Sequence, residues 1–349
     1  MIRILLLGAG GSAGINFVSS LRMARQEIFI AGTDMNKYHL HLPDLDASEV
    51  VPGCTAPGYV DRINAIIKKH GITFVHAQPD IEVEILGKHR KEINARTMLP
   101  SNGTIEKCRN KMNTNRILSA NSVPVPKSYL IENASDIPRL FNELYGITKK
   151  VWVRAVRGAG SRAALPVYNP DQLMNWIFYW ISNKEMETRD FMISEYLPGK
   201  EFAWQSLWRD GKLITSQARE RIEYLFGNLS VSGQSSSPSV ARTVHRTDVN
   251  QVATAAIKAI DEHATGIFCV DLKENIHGTP CVTEINAGRF FTTSNFFSAL
   301  GLNMPYMYVL MAHDQEIPTV PQYNPLEEGL YWVRLPDAMP KLLTESDVK

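Results

Sequence analysis

Gly266-Ile-Phe-Cys-Val-Asp-Leu-Lys273 and Pro280-Cys-Val-Thr-Glu-Ile-Asn286 read as two extended segments joined by a polar turn. β-Branched and aromatic residues dominate both runs, and Glu274-Asn-Ile-His-Gly278 supplies turn chemistry, so the pattern predicts a β-hairpin. Asp271, Glu274 and Glu284 stand in otherwise apolar strands, where an unpaired charge is costly to bury. Asp271, Glu284 and Asn286 place hard oxygen donors on neighbouring strands, and Arg289 follows just beyond. Magnesium favours a few such oxygens completed by phosphates and water, and a site of this kind stabilises phosphoryl transfer. An amphipathic hairpin with solvated carboxylates is the plainer alternative.

At 349 residues, with 44% hydrophobic and 21% charged content, the chain suits a soluble globular protein of two or three modules. A net charge of +1 gives no reason to expect nucleic acid or an anionic membrane as main partner, so any anion site must be local. Cys54, Cys108, Cys269 and Cys281 lack Cys-x-x-Cys spacing, which argues against a zinc knuckle or a disulfide framework. Reduced core thiols are expected, with Cys269 and Cys281 as potential neighbours across the hairpin. The apolar start Ile2 to Leu7 is too short for a membrane span, and Gly8 interrupts what a signal peptide would keep hydrophobic. The chain is read as cytoplasmic.

The first module opens with a buried-strand run, Ile2 to Leu7, then Gly8-Ala-Gly10-Gly-Ser-Ala13-Gly14, a helix to about Arg25 and a strand, Ile28 to Asp34. This βαβ unit satisfies a dinucleotide fingerprint through Gly8, Gly10, Ala13 and Asp34. A helix from Tyr59 to His70 and a strand from Ile72 to Ala77 extend the doubly wound pattern, with Gln78-Pro-Asp80 at the strand's carboxyl end, where ligands bind in open α/β sheets. His39 and His41 have no third metal ligand nearby in sequence.

From about Pro100 the character changes. Lys107 to Asn121 reads as one amphipathic helix, stopped by Val123-Pro-Val-Pro126. The strand Lys150 to Arg154 leads into Arg157-Gly-Ala-Gly160-Ser-Arg162, small residues flanked by cations that can close over phosphates. Trp176 to Trp180 lies on a helix predicted for core or subunit contact. Strand Phe191 to Leu197 reaches Pro198-Gly199-Lys-Glu201, then Phe202 to Trp208 and a turn at Asp210-Gly211.

In this order the motifs resemble a stand-alone ATP-grasp enzyme of the carbamoyl-phosphate-synthase-like type, over nearly the whole chain. The first module is similar to the family's pre-ATP-grasp domain. Asn110-Lys111 through Pro126 resembles its Asp-Lys, helix, Ile-Pro-x-Pro segment, Val151 to Arg162 its phosphate loop, and Ile193 to Glu201 its Glu-Tyr-x-x-Gly-x-Glu hinge. The resemblance implies an α/β fold, with a Rossmann-like domain over 1–105, a small ATP-grasp lobe over 106–190 and a large lobe over 191–349. It also implies ATP with Mg²⁺ or Mn²⁺ as cofactors. Lys111 and Arg154 become phosphate-binding cations, and Gly158, Gly160, Ser161 and Arg162 the flap. Glu195, Tyr196 and Leu197 lie along the adenine, Glu201 on the ribose, and Asp271, Glu284 and Asn286 on the metals. Departures are Asn110 for aspartate, Arg154 for lysine, Ala155 for proline, Asp271 for glutamine or glutamate, and Asn286-Ala-Gly-Arg289 for Asn-Pro-Arg.

The implied reaction activates a small carboxylate as an acyl phosphate and joins it to an amine or other nucleophile, making the chain a carbon–nitrogen bond-forming ligase. Arg289 is the expected anion-holding arginine. The serine- and glycine-rich stretch Gly227 to Ser239 is expected to form a lid, with Arg219 and Arg242 meeting a substrate carboxylate or transferred phosphate. After Pro318-Thr-Val-Pro321, a strand Gly329 to Arg334 is predicted to pack on the core, and the tail from Pro336 to fray. No nucleic-acid or membrane partner is expected, and a homodimer is left open. The alternatives are an NAD(P)-dependent oxidoreductase using the first turn, or a regulator that binds nucleotide without turnover. The resemblance also implies that the glycine turn can offer its helix N-terminus to an anionic acceptor instead of a dinucleotide.

Overall fold

A computed structural model describes every residue except 159–162, 234, 236, 337 and 348–349, and only the main chain of 338–341 and 343. The chain begins β1 (Ile2–Leu7), α1 (Ser12–Arg22), β2 (Ile28–Asp34), β3 (Ala47–Val50), α2 (Tyr59–His70), β4 (Phe74–Ala77) and α3 (Asp80–Lys88). Its strands form a parallel sheet in the order β3-β2-β1-β4. Helices cover such a sheet, which is why Ile2 to Leu7 reads as a near-continuous apolar run.

Next come α4 (Asn102–Arg109), α5 (Lys111–Ala120), β5 (Ser128–Leu130), α6 (Ile137–Thr148), β6 (Val151–Ala155), β7 (Leu165–Val167), α7 (Pro170–Lys184) and β8 (Phe191–Glu195). The four strands make an antiparallel sheet in the order β5-β8-β6-β7. Because β8 is an inner strand here, this sheet extends past residue 190. The single helix expected from Lys107 to Asn121 is two. Asn110 leaves the helical region (φ −101°, ψ 100°) and its side chain accepts from the Asn113 N–H at 2.9 Å, starting α5 afresh.

The remainder contributes β9 (Glu201–Arg209), β10 (Lys212–Tyr224), β11 (Pro238–Val244), α8 (Thr247–Ile260), β12 (Gly266–Glu274), β13 (Pro280–Ala287), α9 (Asn295–Ala299), α10 (Met304–Ala312), β14 (Tyr331–Leu335) and β15 (Ala338–Leu343). These strands form an antiparallel sheet ordered β13-β12-β9-β10-β11-β14-β15. The tail expected to fray pairs instead as β15. Asp210 and Gly211, both at positive φ, close the β9–β10 hairpin, and a Cβ on Gly211 would sit 2.2 Å from the Glu262 carbonyl oxygen.

One apolar cluster joins the first module to the large sheet, with Ile4, Phe17 and Phe74 packed with Phe290, Phe296 and Tyr308. The small sheet has its own core around Phe141, Leu144, Val151 and Ile193. All four cysteines are free. Cys269 lies opposite Asn286 and Cys281 opposite Lys273, so the two thiols are not cross-strand neighbours. Among the described residues no helix is long and apolar enough to cross a membrane.

Candidate active site

The predicted hairpin forms, and Asp271 stands directly opposite Glu284 in its register. A register shift follows Asp271, so Leu272 pairs with Val282 and Thr283 becomes the extra residue of a bulge. The Thr283 hydroxyl donates to the Asp271 carbonyl at 3.1 Å, bracing that bulge. Period-two alternation puts Glu284 and Asn286 on the same face. Both acids and Asn286 line a cavity of about 750 Å³ whose wall draws on all three sheets, from Gly8 through Trp152 to Glu201. That volume lies within the range of small-molecule sites.

Cations clasp each acid. Arg154 donates to Glu284 Oε2 at 2.7 Å and Lys111 Nζ lies 3.2 Å from Oε1. Burial would raise the Glu284 carboxyl, but Lys111, Arg154 and Arg289 outweigh it and hold the group at about 2. Lys111 Nζ also donates to the Gly158 carbonyl at 2.7 Å, tying the α5 start to the glycine-rich segment. Arg221 donates to Asp271 Oδ1 at 2.6 Å and to Glu201 Oε1 at 3.3 Å. Lys273 reaches the other Glu201 oxygen at 3.3 Å, and the Tyr224 hydroxyl donates to Glu201 as well. Arg289 donates to both Asp80 oxygens and, at 2.5 Å, to Asn286 Oδ1.

Asp271 and Glu284 are not equivalent. Burial raises the Asp271 carboxyl, Arg221 only partly offsets it, and Glu284 and Glu201 push it further up. Burial therefore leaves Asp271 less stabilised as an anion than Glu284, which three cations hold ionised. Among the described residues no three His, Cys, Asp or Glu side chains converge as a metal cage. Two carboxylates and an amide fit magnesium, which completes its shell with phosphates and water.

The structure brings most of the sequence-predicted site residues to this cavity. Lys111, Arg154 and Gly158 line one side, Glu195, Tyr196, Leu197 and Glu201 another, and Arg289 lies beside Asn286. Glu195 spends a carboxylate oxygen on the Lys127 N–H at 3.2 Å, while Tyr196 packs under Lys150. Gly160, Ser161 and Arg162 lie outside the described residues. Arg219 sits behind the wall, 1% exposed, donating to Thr293 and stacked on Phe291 and Phe297. Arg242 is not brought in. It is cross-strand from Glu220, whose face is opposite that of Arg219 and Arg221, and Glu220 binds its guanidinium at 2.8 and 2.9 Å. Within the expected lid, Gly227–Leu229 is a short helical turn and β11 begins at Pro238.

Reasoning from motifs passed over Arg221, Lys273 and Tyr224 as site residues, and it placed Asp80 at a ligand-binding strand end without its partner Arg289. Alternation held the signal for two of them: Arg221 is two residues from Arg219, and Lys273 is two from Asp271. Asp80 needed tertiary structure, because its partner is 209 residues away.

The glycine turn does not hold a dinucleotide fingerprint's acid outward. Asp34 accepts from the Gly10 N–H at 3.1 Å and the Asn36 N–H at 2.9 Å, and a Cβ on Gly10 would lie 2.5 Å from His39 Cβ. The acid is therefore engaged with the turn itself, and His39 fills the space over Gly10.

Residues 108–293 match the family model described as an ATP-grasp domain. No curated protein matches the sequence. Among solved structures, the fold is similar to the L-amino acid ligase of Bacillus licheniformis, at 14% identity and TM-score 0.68 over 95% of this chain and 79% of that one. It is also similar to biotin carboxylase from Campylobacter jejuni in a β-γ-ATP complex, at 14% identity and TM-score 0.72 over 95% and 75% of the two chains. N5-carboxyaminoimidazole ribonucleotide synthetase from Thermotoga maritima aligns at 17% identity and TM-score 0.65 over 96% and 81%.

Proposed function

The chain belongs to the ATP-grasp family, and on that premise we propose that it is an ATP- and Mg²⁺-dependent ligase that activates a small carboxylate and joins it to an amine or a similar nucleophile. The observation that carries this reading is the facing pair Asp271 and Glu284 in a cation-lined cavity shared by three sheets. Solved relatives named as an amino acid ligase and a carboxyaminoimidazole ribonucleotide synthetase support the reaction class.

In this reading Lys111 and Arg154 hold phosphate oxygens and keep Glu284 ionised. Asp271, Glu284 and Asn286 hold the metal, which when bound neutralises charge on the phosphates. Gly158 stands beside them, Glu195 to Leu197 runs along the base, and Glu201, steadied by Lys273 and Tyr224, takes the ribose hydroxyls. Arg289, fixed by Asp80, faces the developing negative charge; such preorganised donors supply much of the rate in charge-forming steps. Arg219, behind Phe291, supports that wall. We take 1–105 as the first unit and 106–190 with β8 as the second, the large sheet being the third. The nucleotide's phosphoryl group passes to the carboxylate and the amine then displaces phosphate, so one phosphate is released per bond formed.

Phosphate release across pools of carboxylic acids and amines tests the reading. Glu284→Ala is expected to nearly abolish release while the folded spectrum persists. A variant that kept most of its turnover would remove the metal assignment, and stabilisation of the wild type by NADPH but not by Mg·ATP would favour the oxidoreductase.

A further inference from the structure

Across the large sheet, Arg221 on β10 stands opposite Glu201 on β9, and Lys273 on β12 stands opposite Glu201 from the other side. Asp271 is two residues before Lys273 and shares its face. Between Asp271 and β10 lies Ala203, paired with Asp271 on one side and Arg219 on the other, and its short side chain lets Arg221 reach across β9. The guanidinium therefore spans two acids, donating to Asp271 Oδ1 at 2.6 Å and to Glu201 Oε1 at 3.3 Å. On the ligase reading those acids have different tasks, Asp271 holding the metal and Glu201 the ribose hydroxyls.

Arg221 is confined. Its side chain is 9% exposed, its guanidinium lies 5.5 Å from the centre of the Phe291 ring, and its Nε is buried without a partner. Among the described residues its ion pairs are with these two acids. A buried guanidinium that left both would be an unpaired charge, which is costly, so its choice is between two seats.

Glu201 is crowded. An ionised carboxylate offers about four acceptor positions, and Arg221, Tyr224 and Lys273 already donate to this one. A pair of ribose hydroxyls therefore needs one of these donors to yield, and Arg221 has a second, shorter bond to fall back on. At Asp271 the relation is reversed, because there Arg221 must yield the carboxylate's charge to a divalent cation, and Glu201 is where it then rests. Resting on the ligase reading of this cavity, we propose that Arg221 is a positioning residue that sets the metal and the ribose in competition through its two seats, so that each weakens the other unless phosphates on the nucleotide balance the metal's charge. The site thereby favours a nucleotide carrying its own metal over a nucleoside and a metal that arrive separately.

The test uses the whole chain with Mn²⁺ as the metal and adenosine as the nucleoside, because adenosine has no phosphate through which the two could touch. Calorimetric titration is expected to show Mn²⁺ binding weakened by about fivefold or more under saturating adenosine, and adenosine weakened by the same factor under saturating Mn²⁺, as linkage requires. 2′,3′-Dideoxyadenosine lacks the hydroxyls and is expected to leave Mn²⁺ affinity within about twofold. Arg221→Met is expected to abolish the coupling, whereas Lys273→Met weakens adenosine and keeps it. The wild-type titrations decide the matter even where Arg221→Met does not fold. The proposal is overturned by Mn²⁺ binding that adenosine leaves unchanged or tightens, by equal effects of adenosine and its dideoxy analogue, or by coupling that survives in folded Arg221→Met. It is overturned as well by a protein that binds Mg²⁺ with adenylyl imidodiphosphate but neither Mn²⁺ nor adenosine alone. Failure to bind that Mg²⁺–nucleotide complex overturns the ligase reading instead, which keeps the two failures distinct.

Discussion

The β12–β13 hairpin and the β1–α1 turn both border one cavity and both carry acids, but they spend those acids differently. In the hairpin, Asp271 and Glu284 bind Arg221, Arg154 and Lys111, long side chains that can share their charge with a ligand. At the turn, Asp34 stitches backbone amides and Glu82 is withdrawn against Tyr59. An acid paired with side-chain cations stays available to chemistry, whereas an acid paired with main chain has become part of the scaffold. Donor identity, more than the presence of a carboxylate, separates the two regions.

Asp271→Asn attacks the contrast at its strongest point, since it keeps size and removes charge. ATP-dependent phosphate release is expected to fall by about 100-fold or more, the scale of losing a preorganised electrostatic group. Retention of a third of the activity would mean that the hairpin acids are scaffold too.

Glu82 sharpens the other side. Burial raises its carboxyl to about 7 from an ordinary 4.5, with Tyr59 opposing and Asp34 adding. A folded value raised for an acid costs stability as pH climbs: the cost is absent below 4.5, grows between 4.5 and about 7 and is constant above. Glu82→Gln is therefore expected to stabilise the protein by up to ~3 kcal/mol at alkaline pH and to be near neutral in acid. Urea unfolding at about pH 8 and about pH 4 checks it; equal effects at both would show that the carboxyl's charge is irrelevant.

Asp34→Ala is the smallest test. It removes two hydrogen bonds from the turn and is expected to cost ~1–3 kcal/mol, with ATP turnover within about twofold of wild type. A large loss of turnover with normal stability would place Asp34 in the chemistry.

How much was legible in the sequence follows the same division. The hairpin, its acids and the order of strands after Pro100 were readable because β-branched runs, turn residues and charge in apolar strands are local signals. The Asp34 arrangement was not. Gly8, Gly10 and Ala13 fit a dinucleotide turn equally well, and the engagement of Asp34 with the turn amides and the placement of His39 over Gly10 separate the two outcomes. Asn110 shows a local signal misweighted: an asparagine within an amphipathic run was read as helix interior although it caps a new helix. Arg242 failed for want of phase, since its proximity to Arg219 in the sheet does not put both on one face. The pairing of Asp80 with Arg289 and of the Gln78 side chain with the Phe290 N–H join chain segments more than 200 residues apart and left no trace in local pattern.

The common apolar cluster beneath β1, α1 and the large sheet also governs how the protein comes apart. Phe17, Phe74, Phe290 and Tyr308 belong to one packed mass, and Asn303 further ties α10 to α1 by donating to the Ser20 carbonyl at 2.6 Å. Melting the amino-terminal sheet therefore strips support from the floor of the cavity, so those regions form one cooperative block. The small sheet, with a separate core around Phe141 and Ile193, is free to loosen first, and proteases acting on native protein are expected to cut there before anywhere else in the folded body.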